Sequence, residues 1–254
     1  MIRLIIHGAN GHMGRKIAEL ASSDPAVEVV AGIDAVLGNR EVDLFPIYPS
    51  TDACTEEADV VVDFSTARAT DNLLSFCLKR SLPCVLCTTG LSEEQEQQVR
   101  EASKQIPILR SANMSIGINL ILSVLEKITP LLSEAGYDIE ILEKHHHRKI
   151  DAPSGTALAL GDKINEVTSG KYHFVFDRSK TREKRDENEI GFSAIRGGTI
   201  VGEHEIIFAG EDEVITIGHE AFSRAIFGKG ALEGAKFIAN RAPGLYSMKD
   251  VMEQ

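Results

Sequence analysis

The sequence predicts an α/β fold in two domains: a first domain with a parallel sheet, and a second, α+β domain with a mixed, largely antiparallel sheet. Three observations support this prediction. Up to residue 114, continuous apolar runs alternate with segments of helical periodicity, as in parallel sheets that are covered on both faces. A glycine-rich turn separates the first apolar run from the first helical segment. Beyond residue 188, strand-like runs follow one another across turn signals, which is typical of antiparallel pairing.

The first domain is expected to alternate short apolar strands with helices. The predicted strands cover residues 2–7, 27–33, 59–64, 83–87 and 106–109. The first two helices are predicted where apolar side chains recur at helical spacing, at residues 15–22 and 69–80. A third, polar helix is predicted to begin after Ser92, because serine is a preferred N-terminal cap and Glu94 follows closely.

The second domain is expected to begin with a long amphipathic helix at residues 116–132. The segments predicted after it are a strand at 138–144, a helix at 154–164, a polar loop at 171–188, and strands at 190–196, 200–209 and 214–220. Glycines predict hairpins at residues 197–198 and 210–213, between the last three strands. A final helix at residues 223–239 has an apolar side that is expected to pack on the first domain.

Composition and charge narrow the function classes. The chain has 254 residues and a net charge of −11, so it is a poor candidate for binding nucleic acid or anionic membranes. The N-terminus runs straight into the first strand, which leaves no room for a signal peptide, and no apolar run approaches the roughly 20 residues of a membrane span. We therefore expect a cytoplasmic protein, in which an anionic substrate needs a local basic pocket.

The cysteines leave two interpretations open. Cys84 and Cys87 have CxxC spacing, which is found in redox and metal sites. However, they lie in an apolar segment that is predicted as a buried strand, and no second CxxC completes a zinc site. The sequence therefore favours a core position for both thiols.

The glycine-rich turn predicts a dinucleotide site. Glycines let the backbone approach a pyrophosphate, which the first amides of the following helix then bind. The GxxGxxG spacing is weak evidence alone, and a structural turn without a ligand is the alternative. Asp34 strengthens the prediction, because it ends the second strand 20 residues after Gly14, where a carboxylate can bind a ribose diol. The turn residues assigned to the cofactor are Gly8, Ala9, Asn10, Gly11, His12 and Met13.

Asp34 also bears on the choice of cofactor. A carboxylate disfavours the 2′-phosphate of NADPH, and the next residue is Ala35 rather than arginine, so NADH is the expected cofactor. Arg40, in the following loop, leaves NADPH open as a second cofactor. Further contacts are expected from turns at the carboxyl edge of the sheet, where open α/β folds bind ligands. These turns supply Phe64, Cys87, Thr88, Thr89, Ser111, Ala112, Asn113 and Met114.

The segment from residue 145 to residue 156 predicts the chemical site. Residues 145–149 are five consecutive basic or imidazole residues at the end of a strand. A helix is predicted to start just after Pro153, at Ser154, Gly155 and Thr156, where free amides suit a carboxylate. Cations beside such amides predict a substrate with more than one carboxylate.

Two other interpretations of the basic segment remain open. A metal could bind His145, His146 and His147, but adjacent strand residues point to opposite faces, and no HExxH spacing is present. No metal is therefore expected. The segment could also be a solvated basic turn without a catalytic role.

The run E-I-L-E-x-H-H-x-x-K-I-D-A-P-S-G-T-A at residues 140–157 resembles the signature of dihydrodipicolinate reductases. The resemblance covers nearly the whole chain. It includes G-A-x-G-x-M-G at 8–14, D-F-S at 63–65, T-T-G at 88–90, N-M-S-x-G-x-N at 113–119 and R-G-G-x-I-V-G-E-H at 196–204.

The resemblance implies a homotetramer of two-domain chains. It implies a Rossmann-like dinucleotide-binding domain, here residues 1–114 and 222–254, and a substrate-binding and oligomerisation domain, here residues 115–221. The family uses NADH or NADPH to reduce 4-hydroxy-tetrahydrodipicolinate, a small cyclic dicarboxylate, to tetrahydrodipicolinate in lysine and diaminopimelate biosynthesis.

The resemblance also implies roles for individual residues. By position in the motif, His145 matches the family's general acid/base and Lys149 its companion proton donor. His146 matches a substrate-contacting histidine, and Gly155 and Thr156 match residues that hold a carboxylate.

Three departures from some members concern charge and the cofactor. His147-Arg148 stands where Arg-His is frequent, which changes the local charge. Met114 replaces an aromatic residue near the nicotinamide, and Ala35 replaces a basic residue that helps to accept NADPH.

The chemistry agrees with a histidine as proton donor. Hydride delivery to a ring carbon conjugated to an imine leaves an enamine-like intermediate, which needs a proton at the adjacent carbon. A group whose pKa is near working pH suits this step, which favours His145, while Lys149 adds positive charge. Another nicotinamide-dependent amino-acid or sugar dehydrogenase and a non-catalytic NAD sensor are the alternatives, and neither requires this set of residues.

Overall fold

The computed structural model describes residues 1–36, 44–111, 113–180 and 182–253. The chain divides into two compact units, one formed by residues 1–116 with 225–254 and the other by residues 117–224. The assignment of a separate function to each unit remains a prediction.

The first unit contains a parallel sheet with seven described strands, as expected for the α/β domain. Its strands are β1 (Ile2–His7), β2 (Val27–Ile33), β3 (Ile47–Tyr48), β4 (Val60–Asp63), β5 (Cys84–Leu86), β6 (Pro107–Arg110) and β12 (Gly244–Tyr246). They lie in the order β12-β6-β5-β4-β1-β2-β3. The helices of this unit are α1 (His12–Ala21), α2 (Thr70–Arg80), α3 (Glu93–Ser103), α6 (Ala225–Ile238) and α7 (Met248–Met252).

Both faces of the first sheet are buried, which explains why its strands are apolar throughout. On β1, Leu4 and Ile6 belong to a core that includes residues of α1 and α6, whereas Ile5 belongs to the core on the opposite face, with residues of α2 and α3. Helix α3 begins after Ser92, as predicted, since the Ser92 side chain accepts a hydrogen bond from the Gln95 amide. Gln95, and not Glu94, completes a capping box with Ser92.

The elements that the sequence did not predict in the first unit are short. Strands β3 and β12 have two and three residues, and α7 has five. Segments of this length contain too few residues to show a period of 2 or 3.6, so their apolar residues carry no pattern.

The second unit contains a mixed sheet of five described strands, flanked by two helices. Its strands are β7 (Asp138–His145), β8 (His173–Val175), β9 (Glu189–Arg196), β10 (Gly202–Ala209) and β11 (Val214–Ala221). The two helices are α4 (Ile116–Glu134) and α5 (Gly155–Val167). The strand order is β11-β10-β7-β9-β8, in which β10 is antiparallel to β7 and β11, and β9 is parallel to β7 and β8.

The topology of this sheet differs from the prediction in two respects. The hairpin at residues 210–213 is confirmed, but the one at 197–198 is wrong, because β9 and β10 lie on opposite sides of β7 and do not pair. The sheet is therefore mixed, with as many parallel as antiparallel pairs, rather than largely antiparallel. The polar segment 171–188 also contains β8, at the edge of the sheet.

One face of β7 and β10 changes from apolar to polar along its length. Ile139 and Ile141 of β7 are buried in the core of the second unit together with Ile206 and Phe208 of β10. Further along the same face of β7, Glu143 and His145 are also buried, although both are polar. Since a buried polar group needs a hydrogen-bond partner, this end of the sheet is a candidate site.

Helix α4 has 19 residues and is apolar enough to cross a membrane by length and composition, so the expectation that no run approaches this length is wrong. A single helix of this kind is weak evidence for a membrane span, because the core helix of a soluble protein meets the same criteria. Several of its side chains, such as Ile118 and Leu125, are buried within the protein.

The core interpretation of the cysteines is confirmed. Cys84, Cys87 and the other two cysteines are free and buried. A hydrogen bond with Cys77 and burial raise the pKa of the Cys84 thiol well above its ordinary value, and burial does the same for Cys87. These thiols therefore stay protonated and unreactive.

We expect Phe208→Ala to lower the free energy of unfolding of the second unit by about 3–5 kcal/mol, because it removes a large side chain from a closed core. Phe208 is 0% exposed. Urea titrations followed by circular dichroism measure this loss. Phe222→Ala is the matched control, since Phe222 is 83% exposed and should change stability little. A loss below about 1 kcal/mol for Phe208→Ala would contradict the packing described here.

Candidate active site

The polar end of β7 is organised around Glu143 and His145. Both lie on the buried face of the strand, with exposures of 1% and 8%. The Nδ1 atom of His145 lies 2.6 Å from Oε2 of Glu143. Because residues two positions apart on a strand share a face, the E-x-H sequence brings the carboxylate and the imidazole together.

Glu143 also contacts two other parts of the chain. Its Oε1 atom accepts a hydrogen bond of 3.0 Å from the backbone amide of Ser154. Arg196 makes a bidentate contact, with Nη1 at 2.8 Å from Oε2 and Nη2 at 2.6 Å from Oε1. Burial acts to raise the pKa of Glu143, but the hydrogen bonds from Arg196 and His145 outweigh it and hold this pKa below its ordinary value. The carboxylate is therefore ionised.

The chain passes from β9 across the end of β7 to β10, and this connection brings Arg196 to the carboxylate of Glu143. Arg196 is the last residue of β9 and lies opposite His145 in the register with β7. The connection then passes the end of β7, where the Gly197 amide donates a 2.9 Å hydrogen bond to the His145 carbonyl. Arg196 also donates to the backbone carbonyl of Asp151, at 2.6 Å. The loop that follows β7 is thus attached to β9.

The environment of His145 favours its neutral form. Burial lowers the pKa of His145, and the hydrogen bond and charge of Glu143 oppose this effect only in part, while Lys149 adds to it. On the other side of the ring, a Cβ atom at position 202 would lie 3.0 Å from Nε2 of His145. Glycine at this position therefore leaves space beside Nε2.

His204 joins the cluster from β10, where it lies opposite Glu143 in the register. Its Nε2 atom is 3.0 Å from Oγ of Ser154, and its ring contacts that of His145 edge-on at 5.2 Å between centroids. Burial and the charge of His145 lower the pKa of His204 to about 4. His204 is consequently neutral at pH 7.

Helix α5 starts beside the cluster, at the helix start that the sequence predicts. Ser154 is its N-terminal cap, and its Oγ atom accepts a 3.2 Å hydrogen bond from the Ala157 amide. Gly155 is exposed, and a Cβ atom there would meet nothing within 4 Å, so the space over the first turn is open. Thr156 follows in that first turn.

The remaining residues of the basic segment differ in their surroundings. Lys149 is half-buried and forms an ion pair of 2.8 Å with Asp151. His146 is half-buried, with its Nε2 atom 3.3 Å from Nη2 of Arg224, whereas His147 is exposed. Burial and the charges of Arg224 and Arg148 lower the pKa of His146. Among the described residues, no group of three His, Cys, Asp or Glu side chains is arranged to hold a metal ion.

Sequence reasoning singled out His145 and Ser154 but assigned no role to three of their partners, Glu143, Arg196 and His204. A signal for Glu143 was present, since it alternates with His145 on a strand that is otherwise apolar on that face. Arg196 and His204 come from distant segments, and no local pattern shows that β9 and β10 flank β7.

A cleft in the first unit lies at the glycine-rich turn where the sequence predicts a dinucleotide site. Its volume is about 470 Å³. It is lined by the glycine-rich turn and by the ends of strands, among them His7, Gly8, Gly11, Asp34, Ala35, Val36, Phe64, Ser65 and Thr66. Gly8 has a φ of +82°, and a Cβ atom there would lie 2.7 Å from the Phe64 carbonyl oxygen, so this turn requires glycine. A Cβ atom on Gly14 would lie 2.2 Å from the Gly8 carbonyl oxygen, which fixes the tight entry into α1.

Asp34 lies at this cleft and holds the turn. Its Oδ2 atom accepts a 2.8 Å hydrogen bond from the Asn10 amide, and its Oδ1 atom accepts one of 2.9 Å from the Val36 amide. Asn10 in turn donates from Nδ2 to the Val36 carbonyl at 2.6 Å. Ala9 is buried, whereas His12 is exposed and Met13 is half-buried. Arg40 and Ala112 lie outside the described residues.

The other predicted cofactor residues divide by burial. Thr89 is exposed, and Ser111 and Asn113 are half-buried, with Ser111 Oγ donating a 3.0 Å hydrogen bond to the Asn113 carbonyl. Thr88, Cys87 and Met114 are buried, the last two in the apolar core of the first unit. Helix α6 packs closely on Met114. A Cβ atom on Gly230 of this helix would lie 1.7 Å from the carbonyl oxygen of Met114. The side chains of Cys87 and Met114 thus face the interior.

Sequence reasoning missed one polar pair at the floor of this cleft. His7 and Asp63 end the neighbouring parallel strands β1 and β4. The Nδ1 atom of His7 lies 2.7 Å from Oδ1 of Asp63, which also accepts a 3.1 Å hydrogen bond from the Ser65 amide. The pair thus joins the ends of both strands, with His7 lining the cleft.

Comparisons with known proteins cover both units. The family model for the N-terminal part of dihydrodipicolinate reductase matches residues 2–114, and the model for its C-terminal part matches residues 117–252. A 4-hydroxy-tetrahydrodipicolinate reductase from Caldanaerobacter subterraneus subsp. tengcongensis is 54% identical over 254 residues, which are 100% of this chain and 99% of that protein.

Solved structures of other proteins share the fold of this chain. A dipicolinate-bound dihydrodipicolinate reductase from Paenisporosarcina sp. TG-14 is 25% identical, with a TM-score of 0.79 over 97% of each chain. A scyllo-inositol dehydrogenase from Lactobacillus casei, solved with NAD(H) and scyllo-inositol, is 10% identical, with a TM-score of 0.61 over 100% of this chain and 93% of that one. The second likeness shows the Rossmann-like fold alone. The matches to both family models and to the Caldanaerobacter enzyme show that the chain belongs to the dihydrodipicolinate reductase family.

Proposed function

We propose that this chain catalyses the NAD(P)H-dependent reduction of 4-hydroxy-tetrahydrodipicolinate to tetrahydrodipicolinate, the activity for which its Caldanaerobacter relative is named. This reaction belongs to lysine and diaminopimelate biosynthesis. The observation that supports it best is the contact of His145 with the ionised Glu143, which is itself bonded to the start of α5 at Ser154. A proton-exchanging group and a carboxylate-binding helix start are thereby held in one cluster.

The substrate is a small cyclic dicarboxylate. The Paenisporosarcina reductase was solved with dipicolinate, a planar ring with two carboxylates. In this chain, the first turn of α5 at Gly155 and Thr156 binds one carboxylate, because the positive end of the helix dipole favours an anion. Lys149 and His146 supply positive charge and hydrogen-bond donors for the ring and for the second carboxylate.

His145 donates the proton and Lys149 assists it. Loss of the 4-hydroxyl group as water leaves a ring carbon conjugated with the imine, and the hydride adds to that carbon. The adjacent carbon then takes a proton from Nε2 of His145, which first takes up this proton from solvent to form the imidazolium and returns to its neutral Nδ1–H form after the transfer; Nε2 is the ring nitrogen that Glu143 leaves uncovered. The ammonium group of Lys149 stabilises the negative charge that develops during this step. Its ion pair with Asp151 holds the loop that carries it.

A reduced nicotinamide dinucleotide, when bound, supplies the hydride. The cleft of the first unit fits its adenosine part, since Gly8 and Gly14 bring the backbone close and the N-cap of α1, Gly11, has no side chain to occupy the helix start. Asp34 at this cleft accepts hydrogen bonds from the ribose diol, which favours NADH over NADPH. The further contacts proposed for Thr88, Thr89, Ser111 and Asn113 lie at the ends of β5 and β6.

The two units divide this work. The first binds the dinucleotide and the second binds the substrate and forms the contacts of a homotetramer, as the resemblance to the family implies. The enzyme acts in the cytoplasm. The match of the C-terminal family model to residues 117–252 favours the reductase over a sugar or amino-acid dehydrogenase, because the inositol dehydrogenase likeness rests on the fold alone.

We expect His145→Ala and Lys149→Ala to lower kcat by about 10²–10⁴-fold, the range in which general acid–base catalysis contributes. The measurement is steady-state oxidation of NADH with 4-hydroxy-tetrahydrodipicolinate. His147→Ala is the matched control, since His147 lies in the same basic segment but is exposed and has no assigned role. Titration of NADH by calorimetry checks that the cofactor site is intact. Near wild-type kcat in both active-site variants would refute the assigned roles.

We expect the wild-type chain to bind NADH more tightly than NADPH, because the carboxylate of Asp34 binds a ribose diol and repels a 2′-phosphate. Asp34→Ala should reduce the ratio of the two affinities by about tenfold, the equivalent of one charge-assisted hydrogen bond. Paired calorimetric titrations with both cofactors measure this ratio. Asp24→Ala is the control, since Asp24 lies outside the cleft in an ion pair with Lys236. Tighter NADPH binding by the wild type would show that Asp34 does not select the cofactor.

A further inference from the structure

The side chain of Glu143 is almost wholly buried, and it contacts three groups that come from different parts of the second unit. The groups are the imidazole of His145 on β7, the guanidinium of Arg196 on β9 and the backbone amide of Ser154 before α5. We infer that Glu143 is the positioning residue of the reductase, holding His145 as the Nδ1–H tautomer with Nε2 as the proton-exchanging atom, and linking this imidazole to the carboxylate-binding start of α5. The inference rests on the proposed function, since it explains how the proposed proton donor is prepared.

The tautomer follows from the hydrogen-bond chemistry of the pair. An ionised carboxylate can only accept a hydrogen bond, so the 2.6 Å contact requires that Nδ1 of His145 carries a hydrogen. In the neutral imidazole the lone pair then lies on Nε2. Arg196 keeps Glu143 ionised by the bidentate contact, which suits the planar geometry of both groups.

The structure leaves space on the Nε2 side of the ring. A Cβ atom on residue 202 would lie 3.0 Å from Nε2 of His145, closer than an ordinary van der Waals contact. Gly202 is a buried residue of β10, where a larger residue would otherwise suit the strand. The glycine thus keeps Nε2 accessible while Nδ1 is occupied.

The same carboxylate couples the proton donor to the helix start. Oε1 of Glu143 accepts the hydrogen bond of the Ser154 amide, and Ser154 caps α5 through the Ala157 amide. A shift of the Glu143 side chain would therefore move both the imidazole and the first turn of α5. One residue fixes the distance between the proton donor and the bound carboxylate.

Charged groups of the following loop and of β9 act on His145, and Glu143 supplies the negative charge that touches it. Lys149 in the following loop and Arg196 on β9 are cations and disfavour the imidazolium. His204 on β10 contacts the ring but is neutral at pH 7, since its pKa is about 4. Glu143 therefore decides how readily His145 holds the proton that it must donate.

Glu143→Gln tests this role because it keeps the size of the side chain and removes its charge. We expect kcat to fall by about 10- to 100-fold, as for other buried partners that orient a functional histidine. The decline of kcat/KM with rising pH should move to lower pH by about one unit, because His145 loses its proton more readily without the carboxylate. A merely structural role would leave the pH profile in place, and an unchanged profile in a folded variant would overturn the inference.

Two further variants sharpen this test. Glu143→Asp keeps the charge, so it should return the pH profile towards that of the wild type even if kcat stays low. A profile like that of Glu143→Gln would contradict the inference. Glu205→Gln is the matched control, since Glu205 lies on β10 of the same sheet and pairs with Lys144. It should leave both kcat and the pH profile unchanged.

The tautomer can be measured in the wild-type protein, which keeps the inference testable if the Glu143 variants do not fold. In a protein labelled with ¹⁵N-histidine, the ring signals of His145, assigned by their loss in His145→Gln, should report the Nδ1–H form at pH 8. The Nε2–H form would overturn the inference. This result does not depend on turnover, so a wild-type chain without reductase activity would refute the proposed function but leave the positioning by Glu143 to be decided by the tautomer.

Discussion

The buried carboxylate of Glu143 is the constraint on which the second unit's site depends. A charge in a protein interior is tolerated only when it is paired and fully hydrogen-bonded, because the cost of desolvation is otherwise several kcal/mol. Glu143 meets this requirement through Arg196, His145 and the Ser154 amide. Each partner comes from a different element, so satisfying one charge brings together the parts that the proposed chemistry needs. Removing the carboxylate would leave the guanidinium of Arg196 without its counter-ion, and the imidazole of His145 without the acceptor that orients it.

The topology of the mixed sheet brings the partners of Glu143 close together. Strand β7 lies between β9 and β10, and the connection between those two strands must pass the end of β7, where His145 lies. The crossing places Arg196 and Gly202 on either side of that histidine. The core on the same face, with Ile141 and Phe208, holds the strands in register behind the polar cluster. The apolar core at one end of this face of the sheet thus holds the side chains of the polar cluster in position at the other end.

Local sequence patterns were sufficient where the structure depends on nearby residues. The apolar strands of the first unit, the N-terminal cap at Ser92 and the tight turn at Gly8 each follow from a short segment whose own chemistry requires the observed form. The segment with His145 could also be proposed as the chemical site from the sequence, since its basic residues and its helix start are contiguous. Strands of two or three residues, such as β3 and β12, were missed because they are too short for a period.

Long-range pairing could not be predicted in the same way. A glycine pair at 197–198 has the same appearance in a hairpin and in a crossover, and the choice depends on whether β7 inserts between its flanking strands. The roles of Glu143, Arg196 and His204 follow from that insertion. Likewise, the pairing of His7 with Asp63 depends on β1 and β4 being neighbours, although they are 56 residues apart in the chain.

The most direct test is a crystal structure of the wild-type chain with dipicolinate and NADH. We predict that one carboxylate of dipicolinate accepts hydrogen bonds from the amides of Gly155 and Thr156, with the ring beside Nε2 of His145 and with Glu143 still bonded to Nδ1. Dipicolinate bound away from the start of α5, or a His145 ring that turns Nδ1 towards the ligand, would contradict this account.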